Sequence, residues 1–179
     1  MRPMPAPELT DRLNKQIGNE FSASQQYVAM AVHYDAQTLP QLAGFFYRQA
    51  VEERNHAMML VQYLLDSGGE PRIPEVQAPR SDYGDVVEPV GVALEQERTV
   101  TGHIDELMRA AREAQDYASE EFILWFVKEQ VEEVSTMTDL LAVAERCRDD
   151  VMELEEYVAR EGGGGDDDPT APPAAGGAL

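Results

Sequence analysis

Four stretches of the chain repeat apolar or small residues at three- and four-residue steps, the period of an α-helix with one buried face. The first opens at Pro7 and Glu8 and carries Leu9, Leu13, Ile17, Phe21, Ser24, Tyr27, Val28 and Ala31 to about Tyr34. Thr38, Leu39 and Pro40 then supply a proline suited to a first helical turn, and the second stripe (Leu42, Phe46, Leu60, Leu64) runs to about Asp66. The link between the two is short, so they are expected to pack as an antiparallel hairpin. A third stripe starts at Pro89 with Val90, Ala93, Leu94, Val100, Ile104, Leu107, Met108 and Ala111. A fourth follows residues 115–119 with Phe122, Phe126, Met137, Leu140, Leu141 and Ala144.

Between the second and third stripes, from Ser67 to about Glu88, the period vanishes and Pro71, Pro74, Pro79 and Gly84 punctuate the chain. A structureless segment of this length is unusual inside a compact domain. Extended at about 3.3 Å per residue, it can span a neighbouring helix of about 40 Å, which suits a crossover along the outside of a bundle. A fifth, short pattern over residues 149–160 places Val151, Leu154, Tyr157 and Val158 at helical spacing. It is too short to stand alone and is expected to pack across one end of the bundle or on another subunit. The pattern predicts an all-α fold: a four-helix bundle with a long crossover between helices two and three and a short fifth helix.

Each of the four stripes is broken by acid near its middle. Glu20 falls between Ile17 and Ser24, Glu97 between Val90 and Val100, and Glu129, Gln130 and Glu133 interrupt the fourth stripe. On the second, Glu53 and His56 are three residues apart and so emerge from one helix face, the face of Leu42, Phe46, Gln49, Leu60, Tyr63 and Leu64. Two hairpins joined by a crossover bring these midpoints to one level of the core. Burying unpaired carboxylates is costly, and the stripes hold few basic residues to pair with them, so cations are the simplest partners. Oxygen-rich ligation with one imidazole favours iron or manganese over a structural zinc site, which prefers Cys and His.

Composition narrows this further. With 179 residues the chain suits one domain, residues 1–161, followed by a Gly-, Asp-, Pro- and Ala-rich tail, residues 162–179, expected to be disordered. A formal net charge of -20 argues against a nucleic-acid partner and for cations. Cys147 is the single cysteine, which excludes a disulfide within the chain and makes a reducing compartment the default. The first seven residues contain no apolar signal region, and no apolar run reaches membrane-spanning length, so a soluble, cytoplasmic protein with no membrane partner is expected.

The segments 19–27 (with Glu20 and Tyr27), 50–57 (with Glu53 and His56) and 129–133 resemble those of the bacterial non-haem ferritins, especially the actinobacterial storage type, and the resemblance runs along nearly the whole chain. It implies a ferritin-like fold and a ferroxidase centre. In that centre Glu20, Glu53 and His56 would hold a first iron, and Glu97 and Glu133 a second, with Glu53 bridging. Gln130 and Tyr27 would stand beside it. A third iron site would fall on Glu52, Glu129, Glu132 and Glu133, although for Glu52 and Glu132 a solvated helix face is the open alternative. The implied function is iron storage and detoxification: Fe²⁺ is oxidised with O₂ and kept as a ferric mineral inside a homo-oligomeric cage of 24 subunits. In the haem-binding bacterioferritins a Met follows the second-helix Glu; here Arg54 stands there, and the fourth helix lacks a second Glu-x-x-His, so no haem is expected. Another di-iron carboxylate oxidase of the same fold, or a non-catalytic helical scaffold subunit, are the alternatives. His33 and His103 are read as structural or exposed, and Met58 and Met59 as packing or interface residues. Glu120 and Glu121 would either line a cation path at a threefold axis or form a solvated helix start.

Overall fold

The computed structural model describes residues 4–162 and 168–179. Its helices are α1 (Pro7–Ala36), α2 (Pro40–Ser67), α3 (Glu88–Glu113), α4 (Tyr117–Arg146) and α5 (Val151–Glu161), and no strand occurs among the described residues. α1 packs chiefly on α2 and α3 on α4; α1 also meets α3, and α5 lies against α2 and α4. This is the expected four-helix bundle with its short fifth helix.

Local chemistry sets the element ends. Pro7, Pro40 and Pro89 each occupy a first helical turn, where no N–H partner is lost. α4 begins earlier than the periodicity alone indicates because Asp116 caps it, accepting the Ser119 N–H at 3.1 Å and the Ser119 hydroxyl at 2.7 Å. α2 ends at Gly68, whose φ of 77° is left-handed, and the Gly69 N–H closes back on Leu64 O at 2.8 Å. The tight α1–α2 and α3–α4 turns turn on Thr38 (φ 61°) and Gln115 (φ 53°), side-chain-bearing residues in the left-handed region.

The crossover lies along α1 in parallel register. Glu70 O and Arg72 N bond to the Asn14 amide (3.0 and 2.5 Å), Gln77 N to Ser22 Oγ (3.3 Å), Arg80 N and O to Gln26 (2.9 and 2.8 Å), and Val86 O to the Tyr34 hydroxyl (2.7 Å). Polar groups of α1 side chains, from half-buried Gln26 and Ser22 to buried Asn14 and Tyr34, thus satisfy the backbone of an extended segment that has no ladder of its own. Gly18 permits the close approach: a Cβ there would stand 2.7 Å from Pro74 Cγ.

The apolar core falls into two clusters. One holds Tyr27, Met30, Tyr34, Leu42, Phe46, Ala50, Val90, Leu94, Met137, Leu140 and Leu154; the other holds Leu9, Leu13, Ile17, Ala57, Leu60, Leu64, Val100, Ile104, Ile123 and Phe126. On every one of the four long helices the gap between clusters is filled by buried polar residues: Glu20, Glu53 with His56, Glu97, and Gln130 with Glu133.

The C-terminal segment, expected to be disordered, has a described course over residues 168–179. Ala175 is buried, and its N–H reaches Met58 O on α2 at 3.0 Å. Leu179 N donates to Asn55 Oδ1 at 3.1 Å, and Asp168 Oδ2 accepts the Trp125 indole N–H at 2.8 Å. Small Ala and Gly residues let this backbone lie against α2, where Ala171, Ala174 and Ala175 join the apolar cluster and the Met58 carbonyl and Asn55 amide fix the chain. Residues 163–167 of the same expected tail lie outside the described residues.

Candidate metal centre

Glu20, Glu53, His56, Glu97, Gln130 and Glu133 are all buried, and Glu97 has no exposed surface. Glu20, Glu53 and His56 form the tightest group, each offering one ligand atom with all three atoms within 4.8 Å of one another. His56 Nδ1 lies 3.5 Å from Glu53 Oε2. Trp125 and Phe126 pack edge-on against the imidazole at 5.5 and 5.7 Å and fix its plane. Among the described residues, Glu20 Oε2 and Glu53 Oε2 are buried oxygens with no hydrogen-bond partner. An orphan carboxylate oxygen in a dry core is unstable unless a cation or a proton meets it. The donor set therefore fits a hard or borderline divalent cation.

Glu97 is held differently. Tyr27 donates its hydroxyl to one Glu97 oxygen in a short hydrogen bond, and Gln130 Nε2 lies 3.2 Å from the other. Gln130 also donates toward Glu97 O and Thr101 Oγ1, so Thr101, which no sequence pattern singled out, orients it. The Thr101 hydroxyl in turn donates to Glu97 O at 2.8 Å.

The electrostatics follow from crowding acids in low dielectric. Burial first, and then the neighbouring carboxylates, push Glu53 and Glu133 well above the usual carboxylate range. Burial raises Glu97 as well, although the bonds from Tyr27 and Gln130 pull it back. Burial and the adjacent Glu97 likewise hold Tyr27 in its protonated, donating form.

A second group, Glu52, His56 and Glu129, lies on the α2–α4 side and shares His56 with the first. Glu52 and Glu129 are half-buried, and Gln49 donates to Glu52 at 2.7 Å. The sequence reading placed Glu52 and Glu129 together but added Glu132 and Glu133. Here His56 completes the group, while Glu132 is exposed on α4. Adjacent residues on a helix point about 100° apart, and here Glu133 takes the buried position while Glu132 is left at the surface. Sequence reasoning missed Gln16, Asn19, Gln49, Thr101 and Trp125, since neutral amides, a hydroxyl and an indole carry no ligand signature of their own.

Residues 10–147 match the description "Ferritin-like domain". The chain belongs to the ferritin family. It is 51% identical over 149 residues to Ferritin BfrB of Mycobacterium tuberculosis, covering 83% of this chain and 82% of that one. To Ferritin BfrB of Mycolicibacterium smegmatis it is 51% identical over 167 residues, 93% of this chain and 92% of the relative. The bacterial non-heme ferritin of Staphylococcus aureus is 36% identical over 149 residues, 83% and 90% of the two chains. Among solved structures, an open pore ferritin of the archaeon Archaeoglobus fulgidus superposes with a TM-score of 0.85 at 26% identity, covering 89% of this chain and 99% of that one. In this ferritin no helix of the described residues is long and apolar enough to cross a membrane.

Proposed function

We propose that this ferritin oxidises Fe²⁺ with O₂ and stores the resulting Fe³⁺ as a mineral inside a closed shell of 24 copies of itself. The observation that carries the reading is the buried Glu20–Glu53–His56 group, in which two carboxylate oxygens have no hydrogen-bond partner, set between two apolar clusters. Iron is substrate and cargo here. Glu20, Glu53 and His56 bind the first Fe²⁺. Glu133 and Glu97, with Glu53 shared, bind the second. Each Fe²⁺ gives up one electron, O₂ takes the pair with two protons from solvent and leaves as H₂O₂, and the carboxylates offset the added positive charge on the two Fe³⁺.

Tyr27 and Gln130 hold Glu97 in one orientation, so the second position is preset rather than gathered on binding. The half-buried Glu52–His56–Glu129 group is the third cation position, on the side where oxidised iron leaves the bundle. Arg54 in place of a haem-binding Met makes the protein haem-free. The catalytic domain spans residues 1–161, and the protein works in the cytoplasm.

Aerobic addition of Fe²⁺, followed by ferric absorbance, tests the chemistry. Glu53→Ala and His56→Ala are expected to slow the fast phase by at least tenfold, about the loss of one catalytic ligand set. Parent-like rates in both variants would remove the site from consideration. Particle mass and iron content per particle separate a storage shell from a small di-iron oxidase, which would elute as a monomer or dimer.

A further inference from the structure

The Glu20 carboxylate is the end of a chain of side chains that crosses from α1 to α3. Gln16, one turn earlier on α1 and 2% exposed, donates its Nε2–H to Glu20 Oε1 at 2.7 Å. The Gln16 carbonyl oxygen accepts from Asn19 Nδ2 at 2.8 Å. That same Asn19 nitrogen lies 3.2 Å from His103 Nδ1 on α3. An amide nitrogen has two N–H groups and no lone pair to offer, so one is directed to Gln16 and the other to an unprotonated His103 Nδ1. Every link then has one chemically allowed direction, and the Gln16 amide cannot flip without setting its carbonyl against a carboxylate.

The result is an asymmetric Glu20. Its Oε1 is engaged by the amide, while Oε2 is buried without a partner in the group formed with Glu53 and His56. We infer that Gln16 is a positioning residue for the first cation: through an amide oriented by Asn19 and anchored on His103, it holds Glu20 so that one oxygen, and only one, is presented to the metal. This rests on the reading of Glu20 as a cation-binding residue. Had Gln16 served packing alone, an apolar residue would fill its place between Leu13 and Ile17 with no buried amide to satisfy.

The test is anaerobic titration of the assembled, full-length apo-protein with Co²⁺, read by calorimetry and by the ligand-field absorption of the bound ion. The proteins are the parent, Gln16→Met, Asn19→Leu, Glu20→Ala and the double variant Gln16→Met/Glu20→Ala. Methionine keeps the unbranched length of glutamine without its donor. Gln16→Met is expected to weaken the tighter Co²⁺ step by about 10–100-fold and to change the absorption of that ion. Asn19→Leu should shift both readouts in the same direction by less. The double variant should bind no more weakly than Glu20→Ala alone, since Gln16 acts only through Glu20. Should Gln16→Met fail to assemble, Gln16→Asn withdraws the amide by one methylene and is expected to give the same weakening. Parent affinity and spectrum in the Gln16 variant, or losses from Gln16→Met and Glu20→Ala that simply add, would overturn the proposal. If Glu20→Ala itself leaves Co²⁺ binding unchanged, it is the reading of the metal site that fails.

Discussion

Glu155 of α5 caps the start of α2: its carboxylate accepts the backbone N–H of Leu42 at 2.8 Å and that of Gln41 at 2.9 Å. α2 has no acidic residue in its own first turn and no side-chain cap, so the fifth helix supplies from outside what the second lacks.

Replacing that carboxylate is expected to loosen two elements together. Glu155→Ala should cost about 1–2 kcal/mol, the usual range for a lost cap, and raise amide hydrogen exchange at Gln41 and Leu42 and along α5. Exchange rates measured by mass spectrometry on parent and variant check this; protection unchanged at both places would show that α5 is held by its apolar residues alone.

The acid layer predicts an unusual pH response of the metal-free protein. Glu53, Glu97 and Glu133 have folded-state pKa values raised by burial, so between the unfolded carboxylate range and those raised values the native state binds more protons than the unfolded state. Stability from these groups is therefore greatest below the unfolded range and falls as pH rises through the folded values. Thermal melts of apo-protein should move to lower temperature as pH is raised from mildly acidic to neutral. Divalent cations should reverse the loss and release protons as they bind.

Gly18→Val is expected to displace the crossover. A Cβ at position 18 already meets the Pro74 ring at 2.7 Å, and two further methyl groups add to the clash. The loss should fall in the range of about 1–3 kcal/mol typical of overpacking, with faster proteolysis within residues 70–80 as its readout.

Trp125 is the only tryptophan, which makes its fluorescence a report on the C-terminal segment. Deleting residues 168–179 removes the Asp168 acceptor and bares the indole N–H to water, so emission should shift to longer wavelength while the shell still assembles. A failed assembly would show that the segment is part of the fold rather than a strap laid upon it.

How much of this was legible beforehand depended on whether a residue announces itself by period or by partner. The four helices were readable because Leu, Ile and Phe recur at fixed steps, and the inward acids were readable as breaks in that recurrence. Asp116 shifted a helix start by a cap that periodicity cannot register. Residues 168–179 have no period at all, and their placement depends on Asn55, Met58 and Trp125 of two distant helices. His103 reads from the sequence as structural or exposed because it does not fall at the level of the inward acids; its meaning lies in Asn19 across the groove.

The split of the apolar core into two clusters makes the protein a pair of half-cores joined through a layer of buried carboxyl groups. Filling that layer with leucine at Glu53 and Glu133 would merge the halves and yield a bundle that melts higher, as replacing buried ionic groups by well-packed apolar ones often does. Such a chain would fold better and do nothing. The native sequence keeps its most costly layer where all four helices contribute a polar side chain to it.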